Sequence, residues 1–382
     1  MLDANIKHLF LLKKSFYVKF DKFIILKYSI STIMNISAVL TNWYKIHKRE
    51  LPWRNTKDPY FIWISEIILQ QTRVNQGMEY YLEFIRRFPD IHSLATSSLD
   101  EVLKAWQGLG YYTRARNLHA TAQYIYYQMD GRFPENYEEL IRLKGIGDYT
   151  ASAIASFAFG KPVAVVDGNV QRVISRISGI STPVNTTRGK KQIKKEAEKL
   201  LPPQNTELHN QAMIEFGAIQ CIPRNPECIN CPLNQICYAF HHNIVEELPG
   251  KRKNKKKRLR YFYYLTIRKN GHLFFQKRAD NDIWNSLYQF PLIESDRELK
   301  MQEITDSKEW EEIFKSLTPS IKKISNTYTH LLTHQKIYAC FVEIEISSAN
   351  NFLLNNYTLI ERNKIQDLAV PRLIEKYLEE KI

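Results

Sequence analysis

The chain of 382 residues is long enough for two or three domains, and its hydrophobic fraction of 44% is that of an ordinary globular protein. No apolar run reaches the roughly 18 residues of a membrane-spanning helix, which excludes such a helix. The net charge of +14 favours a polyanionic partner, most simply nucleic acid, although excess lysine that only solubilises the surface gives the same charge.

The amino-terminal segment, residues 1–33, alternates lysines with aromatic and aliphatic residues. It lacks the apolar core and the small-residue cleavage site of a signal peptide. Met34 directly precedes a helical pattern, NISAVLTNWYKIH, so translation from Met34 is an alternative to the full chain. We therefore predict no function for this extension.

Residues 34–240 carry the periodicity of helices. Apolar side chains recur at steps of three and four in FIWISEIILQQTRV, RARNLHATAQYIYYQM and GNVQRVISRIS, and Gly, Pro and Asn separate these segments. This pattern predicts an all-α domain over the whole stretch.

A change of composition marks a second domain. Residues 241–260 contain the basic run KRKNKKKRLR, which is typical of a solvated linker. The runs YFYYLTI, GHLFFQKRA and KIYACFVEI that follow are aromatic and β-branched, and PRLIEKYLEEKI has the pattern of a terminal helix. Residues 261–382 are therefore predicted to form an α+β domain.

Four cysteines follow one another at the spacing C-x6-C-x2-C-x5-C, which predicts one metal site rather than two disulfides. They are Cys221, Cys228, Cys231 and Cys237. Zinc sites usually have two C-x2-C pairs, or one pair with histidines, so this spacing favours an iron–sulfur cluster and leaves zinc as the alternative. The remaining Cys340 is predicted to be a small buried hydrophobic residue. Such sparse cysteine use fits a reducing, cytoplasmic compartment.

The stretch LKGIGDYTA contains a Gly-x-Gly turn, Gly145 and Gly147, between two helical patterns. Glycines there permit positive φ and let the backbone N–H groups of the next helix face a phosphate. An ordinary turn between helices has the same signature, so the motif is weak evidence by itself. The apolar and then acidic stretch VAVVDGNVQRV downstream strengthens it.

Two acidic residues are candidates for acid–base chemistry. Glu66 has mostly apolar neighbours at three and four residues, a pattern that desolvates a carboxyl and raises its pKa, although surface glutamates are commoner. Asp167 precedes a helical pattern, where it is predicted to be the N-cap and to be stabilised as the anion. One protonated and one ionised carboxyl are what cleavage of a glycosidic bond requires.

These features together resemble the iron–sulfur branch of the helix–hairpin–helix DNA glycosylases. The stretches LPWR, WISEIILQQTRV and GLGYYTRARNLH are similar to those of the A/G-specific adenine DNA glycosylase (MutY) family. The resemblance runs from about Met34 to near the carboxyl terminus and is closest between Leu51 and Cys237. It implies an all-α helix–hairpin–helix glycosylase domain with a [4Fe-4S] loop and a DNA cleft between two helical subdomains, followed by an α+β Nudix-like domain.

The resemblance also implies a reaction. The enzyme would act as a monomer on double-stranded DNA in which adenine is mispaired with 8-oxoguanine or guanine, hydrolyse the N-glycosidic bond and leave an abasic site. Endonuclease III-type relatives have a Schiff-base lysine in the hairpin, where this chain has Tyr149, so an essentially monofunctional glycosylase is expected. The alternatives are an endonuclease III-like glycosylase/lyase that acts on oxidised pyrimidines and a non-catalytic iron–sulfur protein that binds DNA.

Residue roles follow from the same resemblance. Glu66 would protonate the adenine ring and later help to activate water, Asp167 would stabilise the sugar cation, and Tyr149 and Asn169 would line the site. The base must be flipped out of the stack, because its reacting bond is inaccessible there. The pocket for the extruded adenine would be formed by Leu51, Trp53, Arg54 and Glu215.

Two further residues would enter the duplex as wedges, Gln71 and Tyr111. Ordinary helix-end polarity for Gln71 and core packing for Tyr111 are the alternatives. The cluster loop, which includes Arg224, would be structural and would contact phosphates without requiring redox chemistry.

The carboxy-terminal domain resembles a Nudix-like domain, through IWNSLYQFP among other stretches, without the glutamate-rich box that nucleotide hydrolysis requires. In the family, a serine-containing loop of this domain reads 8-oxoguanine. This chain has HLLTH at the matching place, so Thr333 and His334 would take that role and the threonine keeps the hydroxyl. Ordinary strand or loop histidines are the alternative for His330 and His334.

Overall fold

The computed structural model describes residues 30–252, 257–279 and 282–381, with the backbone alone for residues 30–35. Nearly all of the predicted extension 1–33, and part of the predicted linker 241–260, lie outside the described residues. The domain bounds predicted from composition therefore stay a prediction.

Helices occupy the described chain up to residue 241. They are α1 (Ile30–His47), α2 (Pro59–Ile68), α3 (Val74–Arg87), α4 (Ile91–Thr96), α5 (Leu99–Ala105), α6 (Thr113–Gln128), α7 (Tyr137–Leu140), α8 (Asp148–Phe157), α9 (Gly168–Ser178), α10 (Thr187–Leu200), α11 (Thr206–Glu215) and α12 (Tyr238–His241). The predicted all-α character of this part is confirmed. Among the described helices, none combines the length and the apolar character that crossing a bilayer requires.

A mixed sheet begins at residue 258. Its strands are β1 (Arg258–Lys269), β2 (His272–Lys277), β3 (Tyr288–Gln289), β4 (Leu292–Ser295), β5 (Ser320–Ile324), β6 (Tyr328–Leu331), β7 (Gln335–Glu345) and β8 (Thr358–Glu361). The helices of this part are α13 (Met301–Thr305), α14 (Lys308–Phe314), α15 (Asn351–Asn356) and α16 (Arg372–Lys381). The predicted α+β character and the terminal helix are confirmed.

Strands β1 and β7 form the centre of the sheet. They run parallel, with Phe262 opposite Ala339, while the other pairings are antiparallel, along the order β3-β2-β1-β7-β5. Because side chains alternate across a strand, Phe262 and Tyr264 enter one core and Tyr263 enters the other. Both faces of the central strands are thus buried, which explains why YFYYLTI is almost continuously apolar.

The described residues divide into two compact units. One combines the residues up to Glu66 with 133–252, and the other combines 67–132 with the residues after 252. The core of the first unit is formed by α1, α9, α10 and α11, whose apolar faces meet at Leu40, Ile174, Ile193 and Met213. Burying each such side chain contributes roughly 1.5–3 kcal/mol.

The hairpin of LKGIGDYTA joins α7 to α8. Gly145 has φ +81, a left-handed conformation that glycine adopts without strain, as predicted for this turn. Gly147 instead is extended, with φ −94 and ψ 179, and is the N-cap of α8. Only the first of the two glycines therefore uses the conformational freedom that the motif suggested.

Cys340 differs from its prediction. Its side chain is half-buried rather than buried, and its Sγ atom lies 3.4 Å from Oγ1 of Thr327. It lines a groove beside Tyr261 and Met301, which leaves that side of β7 partly open to solvent.

Candidate active site

Three chain segments bring Glu66, Tyr149 and Asp167 together in the first unit. Glu66 lies in the last turn of α2, Tyr149 in the first turn of α8, and Asp167 directly before α9. The Tyr149 hydroxyl donates a hydrogen bond to the Glu66 carboxyl, and the charge of Asp167 acts on the pKa of Glu66. The structure therefore places the two candidate acids in one site.

Glu66 is desolvated, as its apolar flank predicts. The side chain is 7% exposed, and burial raises its pKa to about 7. The hydrogen bond from Tyr149 opposes this shift, the negative charge of Asp167 adds to it, and the positive charge of Arg54 opposes it. A carboxyl with this pKa is partly protonated at neutral pH and can donate a proton.

Asp167 is the N-cap of α9, and that prediction is confirmed. Its Oδ1 atom accepts hydrogen bonds from the backbone N–H groups of Asn169, at 2.9 Å, and Val170, at 2.8 Å, and Oδ2 accepts from Nδ2 of Asn169 at 2.7 Å. Burial nevertheless raises its pKa, while these hydrogen bonds lower it. The sequence predicted only the effect of the helix end, which favours the carboxylate anion. It did not predict the burial that raises the pKa of Asp167.

Tyr149 stays a proton donor in this site. Burial raises its pKa well above the usual value, and the neighbouring carboxylates of Glu66 and Asp167 raise it further. The neutral hydroxyl thus orients the Glu66 carboxyl without competing for its proton.

Asn169 links the acid site to the segment that carries the cysteines. Its Oδ1 atom accepts a hydrogen bond from Arg172 at 2.9 Å, and Arg172 also donates to the backbone oxygens of Gly217, at 2.6 Å, and Cys221, at 2.7 Å. A Cβ atom at Gly217 would lie 2.7 Å from Cβ of Asn169, so only glycine permits this approach. Arg172 escaped the sequence analysis, although an arginine on an otherwise apolar helix face was a visible signal.

The predicted adenine-pocket residues also belong to the first unit. Leu51 and Trp53 are buried, on a single 3-10 turn that ends at Arg54. Arg54 donates a hydrogen bond of 2.6 Å to Oε2 of Glu215, so the structure brings these two predicted residues together.

A second arginine completes this ion pair and was missed. Arg49 donates to both carboxylate oxygens of Glu215, through Nε at 2.8 Å and Nη2 at 2.7 Å. Glu215 is 0% exposed, and burial alone would raise its pKa, but the hydrogen bonds from Arg49 and Arg54 lower it to about 2. Glu215 is therefore an anion at all physiological pH values.

The two predicted wedge residues lie in the second unit, in strained turns. Gln71 is exposed with φ +59, in the turn three residues beyond the end of α2. Tyr111 has φ +48 and is 49% exposed, so the alternative that it packs in the core is wrong. Gly108 in the same loop has φ +94, and a Cβ atom there would collide with the Tyr80 hydroxyl.

One guanidinium fastens both of these turns. Arg114 donates to the carbonyl oxygens of Ile67 and Gln70, each at 2.7 Å, before Gln71, and to those of Leu109 and Gly110, each at 3.2 Å, before Tyr111. Sequence analysis did not single out Arg114, because nothing local reveals that its partners come from two turns far apart in the chain.

The predicted reader loop is exposed. The Thr333 hydroxyl lies 2.8 Å from that of Tyr111, and the carbonyl of His334 accepts from the backbone N–H of Arg258 at 2.9 Å. The His330 ring instead packs against Trp284, with centroids 5.4 Å apart, and burial lowers its pKa. For His330 the alternative of an ordinary strand histidine therefore holds.

The four cysteines are free thiols, each half-buried. Burial raises the pKa of Cys231 to about 11, and the electrostatic effect of the other three cysteines on it shows that the four thiols lie near one another. Arg176 donates to Sγ of Cys221 at 3.4 Å, and its carbonyl accepts from Sγ of Cys237 at 3.6 Å.

In the part of the chain that the structure describes, no three His, Cys, Asp or Glu side chains are grouped so that they could hold a metal ion. The four neighbouring thiols are nevertheless a soft donor set with a cation beside it. Thiolate sulfur is the donor that both zinc and iron–sulfur clusters take, so the residues present fit a metal centre held by thiolates.

Comparisons with known proteins agree with this architecture. A model of the HhH-GPD superfamily base excision DNA repair proteins matches residues 64–203, and a model of the NUDIX domain matches residues 262–380. The predicted order, a helical glycosylase domain before a Nudix-like α+β domain, is thereby confirmed.

Individual relatives give the same picture. An adenine DNA glycosylase of Buchnera aphidicola subsp. Baizongia pistaciae is 37% identical over 355 residues, which are 91% of this chain and 97% of that protein. The human adenine DNA glycosylase is 40% identical over 57% of this chain and 42% of its own length. The solved structure of a thermostable thymine-DNA glycosylase is 30% identical, with a TM-score of 0.52, and the match covers 56% of this chain and 98% of that one.

Proposed function

Because this chain belongs to the adenine DNA glycosylase family, whose members hydrolyse N-glycosyl bonds in base excision repair, we propose that it removes adenine mispaired with 8-oxoguanine or guanine. The observation that carries the proposal is the convergence of Glu66, Tyr149 and Asp167 in one desolvated site. The proposal includes recognition of the mispair and a role for each predicted site residue.

Glu66 supplies the proton. With a pKa of about 7, its carboxyl is protonated in a useful fraction of molecules near neutral pH. Transfer of that proton to a ring nitrogen of the flipped adenine makes the base a better leaving group, and the bond from the sugar C1′ to the base breaks. The resulting carboxylate then accepts a proton from the water that adds to C1′, which restores Glu66.

Asp167 stabilises the charge that develops on the sugar. The oxocarbenium-like cation needs an anion on the opposite side from the leaving base, and a buried carboxylate interacts with it more strongly than one in water. The hydrogen bonds from Asn169 and Val170 hold the Asp167 carboxylate in place and favour its charged form. No lysine nucleophile is required, which fits Tyr149 at the hairpin position and an enzyme without strong lyase activity.

The remaining predicted residues hold the DNA. Leu51, Trp53, Arg54 and Glu215 form the pocket for the extruded adenine, in which the buried Glu215 carboxylate holds the Arg54 guanidinium in place. Gln71 and Tyr111 fill the space that the flipped nucleotide leaves. Thr333 and His334 contact 8-oxoguanine, and the hairpin glycines Gly145 and Gly147 let backbone N–H groups approach a phosphate.

The cofactor of this proposal is a [4Fe-4S] cluster, held by Cys221, Cys228, Cys231 and Cys237. When bound, it would fix the fold of the loop and require no redox step. Exposed Arg224 in that loop would then face the DNA backbone. The spacing of the four cysteines, with a single C-x2-C pair and longer gaps on either side, supports the cluster over zinc. A thiolate cluster of this kind also fits the reducing conditions of a cytoplasmic enzyme.

A glycosylase assay tests the function. Duplexes with adenine opposite 8-oxoguanine, guanine or thymine are incubated with excess enzyme, and free adenine is measured by chromatography. We expect release from the first two duplexes, none from the third, and loss of release in Glu66→Gln, which keeps the size of the side chain.

Other outcomes would overturn the proposal in distinct ways. Cleavage of duplexes that contain thymine glycol would favour an endonuclease III-like glycosylase/lyase. Binding of the mispair without release of any base would favour a non-catalytic DNA-binding protein. Iron and sulfide contents near zero in protein purified without oxygen would remove the cluster from the proposal.

A further inference from the structure

The segment that leads into Asp167 has no regular secondary structure of its own. A side chain from α11, Asn210, satisfies part of its backbone: Oδ1 accepts from the N–H of Val165 at 3.1 Å, and Nδ2 donates to the carbonyl of Val163 at 2.8 Å. Asn210 is 3% exposed, so these bonds are shielded from water. An amide side chain thus replaces the neighbouring strand that this segment lacks.

A second side chain, from α10, satisfies the carbonyl in between. Lys194 donates a hydrogen bond of 2.8 Å from Nζ to the oxygen of Ala164. Residues 163–165, shortly before Asp167, are therefore held by two side chains from two other helices. Neither Lys194 nor Asn210 has a role in the function proposed above.

Both side chains are anchored on the same helix. Nδ2 of Asn210 also donates to Oγ of Ser156 at 2.9 Å, and Nζ of Lys194 donates to Oγ of Ser152 at 3.1 Å. Ser152 and Ser156 lie one turn apart on α8 and are 0% exposed. Helix α8 is the helix whose first turn presents Tyr149 to Glu66.

Lys194 has a third partner at the start of that helix. Its ammonium lies 3.4 Å from Oδ1 of Asp148, the first residue of α8, and Asp148 accepts a hydrogen bond of 2.8 Å from the Tyr137 hydroxyl. Three acceptors thus surround an ammonium that has three hydrogens to donate. This geometry fixes the first turn of α8 relative to the segment before Asp167.

We propose that Lys194 and Asn210 are positioning residues. They keep the Asp167 carboxyl at a fixed distance from the Tyr149 side chain and thus from the Glu66 carboxyl. The inference rests on the proposed roles of those three residues. Two carboxyls that act on one nucleotide must keep their separation, and a displacement of about 1 Å can cost on the order of 100-fold in rate. The segment before Asp167 has no regular secondary structure, so side-chain hydrogen bonds take the place of a helix or strand ladder in fixing its backbone.

The first test compares two lysines of α10. Lys194→Met removes the ammonium and keeps the length of the side chain, and Lys195→Met removes the same charge from an exposed position. We expect the single-turnover rate of adenine release to fall about tenfold in Lys194→Met, with the Kd for the duplex within about twofold of that of Lys195→Met. Equal rates in the two variants, or a loss confined to Kd, would overturn the proposal.

The second test avoids variants that fail to fold. Ser152→Ala and Ser156→Ala each remove one anchor, and Ser175→Ala is the matched control, because its buried hydroxyl has no hydrogen-bond partner among the described residues. We expect about threefold to tenfold slower release for the first two and no change for the control. If Ser175→Ala is slowed as much as the others, the effect is one of general stability and the proposal fails.

A double-variant cycle identifies the route of the effect. If Lys194 acts by placing the helix that carries Tyr149, the combination of Lys194→Met with Tyr149→Phe should be slowed less than the product of the single losses. Fully multiplicative losses would contradict that route. Failure of the wild-type enzyme to release adenine at all would instead refute the proposed function, so the two failures are distinguishable.

Discussion

The two regions that the proposed reaction uses are built in opposite ways. The acid site is enclosed, with Glu66 7% and Glu215 0% exposed, and its charges are set by neighbours at fixed positions. The wedge residue Tyr111 and the reader residue Thr333 are exposed, and one hydrogen bond of 2.8 Å joins them. Chemistry needs groups whose protonation is set before the substrate arrives, whereas lesion reading needs groups that stay free to exchange partners.

Removing one partner of a polar or charged pair should therefore cost more free energy in the enclosed acid site than in the exposed reader loop. A charge in a low dielectric is costly when it loses its partner, whereas an exposed pair exchanges its partner for water at little cost. Substitutions in the enclosed region should therefore have large effects on stability and rate, and those in the reader loop small ones.

The largest effect is expected for Glu215→Ala. The change leaves the guanidinium groups of Arg49 and Arg54 without their carboxylate, which should lower the free energy of unfolding by about 3–5 kcal/mol. The control is Glu207→Ala, because half-buried Glu207 pairs with the exposed Lys57, and its loss should cost below about 1 kcal/mol. Urea denaturation measures both, and similar losses would show that burial does not separate the two pairs.

Glu66→Gln is expected to stabilise the fold at high pH. The pKa of Glu66 is raised from 4.5 to about 7, so the native state binds the proton more tightly than the unfolded chain. Wild-type stability should therefore fall as the pH rises from 4.5 through 7, by on the order of 3 kcal/mol, and glutamine has no such loss. Unfolding at pH 4 and pH 8 measures this difference, and an equal effect of the substitution at both values would contradict the raised pKa.

The rate of adenine release should follow the protonation of the same carboxyl. Above a pH of about 7 the acid form of Glu66 is depleted, so the single-turnover rate should fall about tenfold for each further pH unit. Rates measured between pH 5.5 and 9 under saturating enzyme test this expectation. A profile that is flat through pH 7 would remove Glu66 from the role of the acid.

The smallest effect is expected in the reader loop. Thr333→Val removes the hydroxyl that meets Tyr111 and should change the affinity for the 8-oxoguanine duplex by about 0.5–1.5 kcal/mol, without altering the unfolding of the free protein. Thr333→Ser keeps the hydroxyl and is the control. If Thr333→Val lowered the free energy of unfolding as much as Glu215→Ala does, the two regions would not differ as proposed.

Several features follow from the sequence because their signals are local. The helical period of residues 34–240, the strands after residue 260, the N-cap at Asp167 and the turn at Gly145 all depend on neighbours within a few residues. The apolar flank of Glu66 was enough to predict its raised pKa, because a helix fixes which side chains surround a given position.

The tertiary structure decided what lies between these local features. It buries Asp167 enough to raise its pKa, adds Arg49 to the Glu215 pair, and gives Arg114 carbonyl partners in two distant turns. It also brings Lys194 and Asn210 to the backbone before Asp167. Contacts of this kind join residues far apart in the chain, so no local periodicity encodes them, and only the packing of the helices determines which polar groups must find one another.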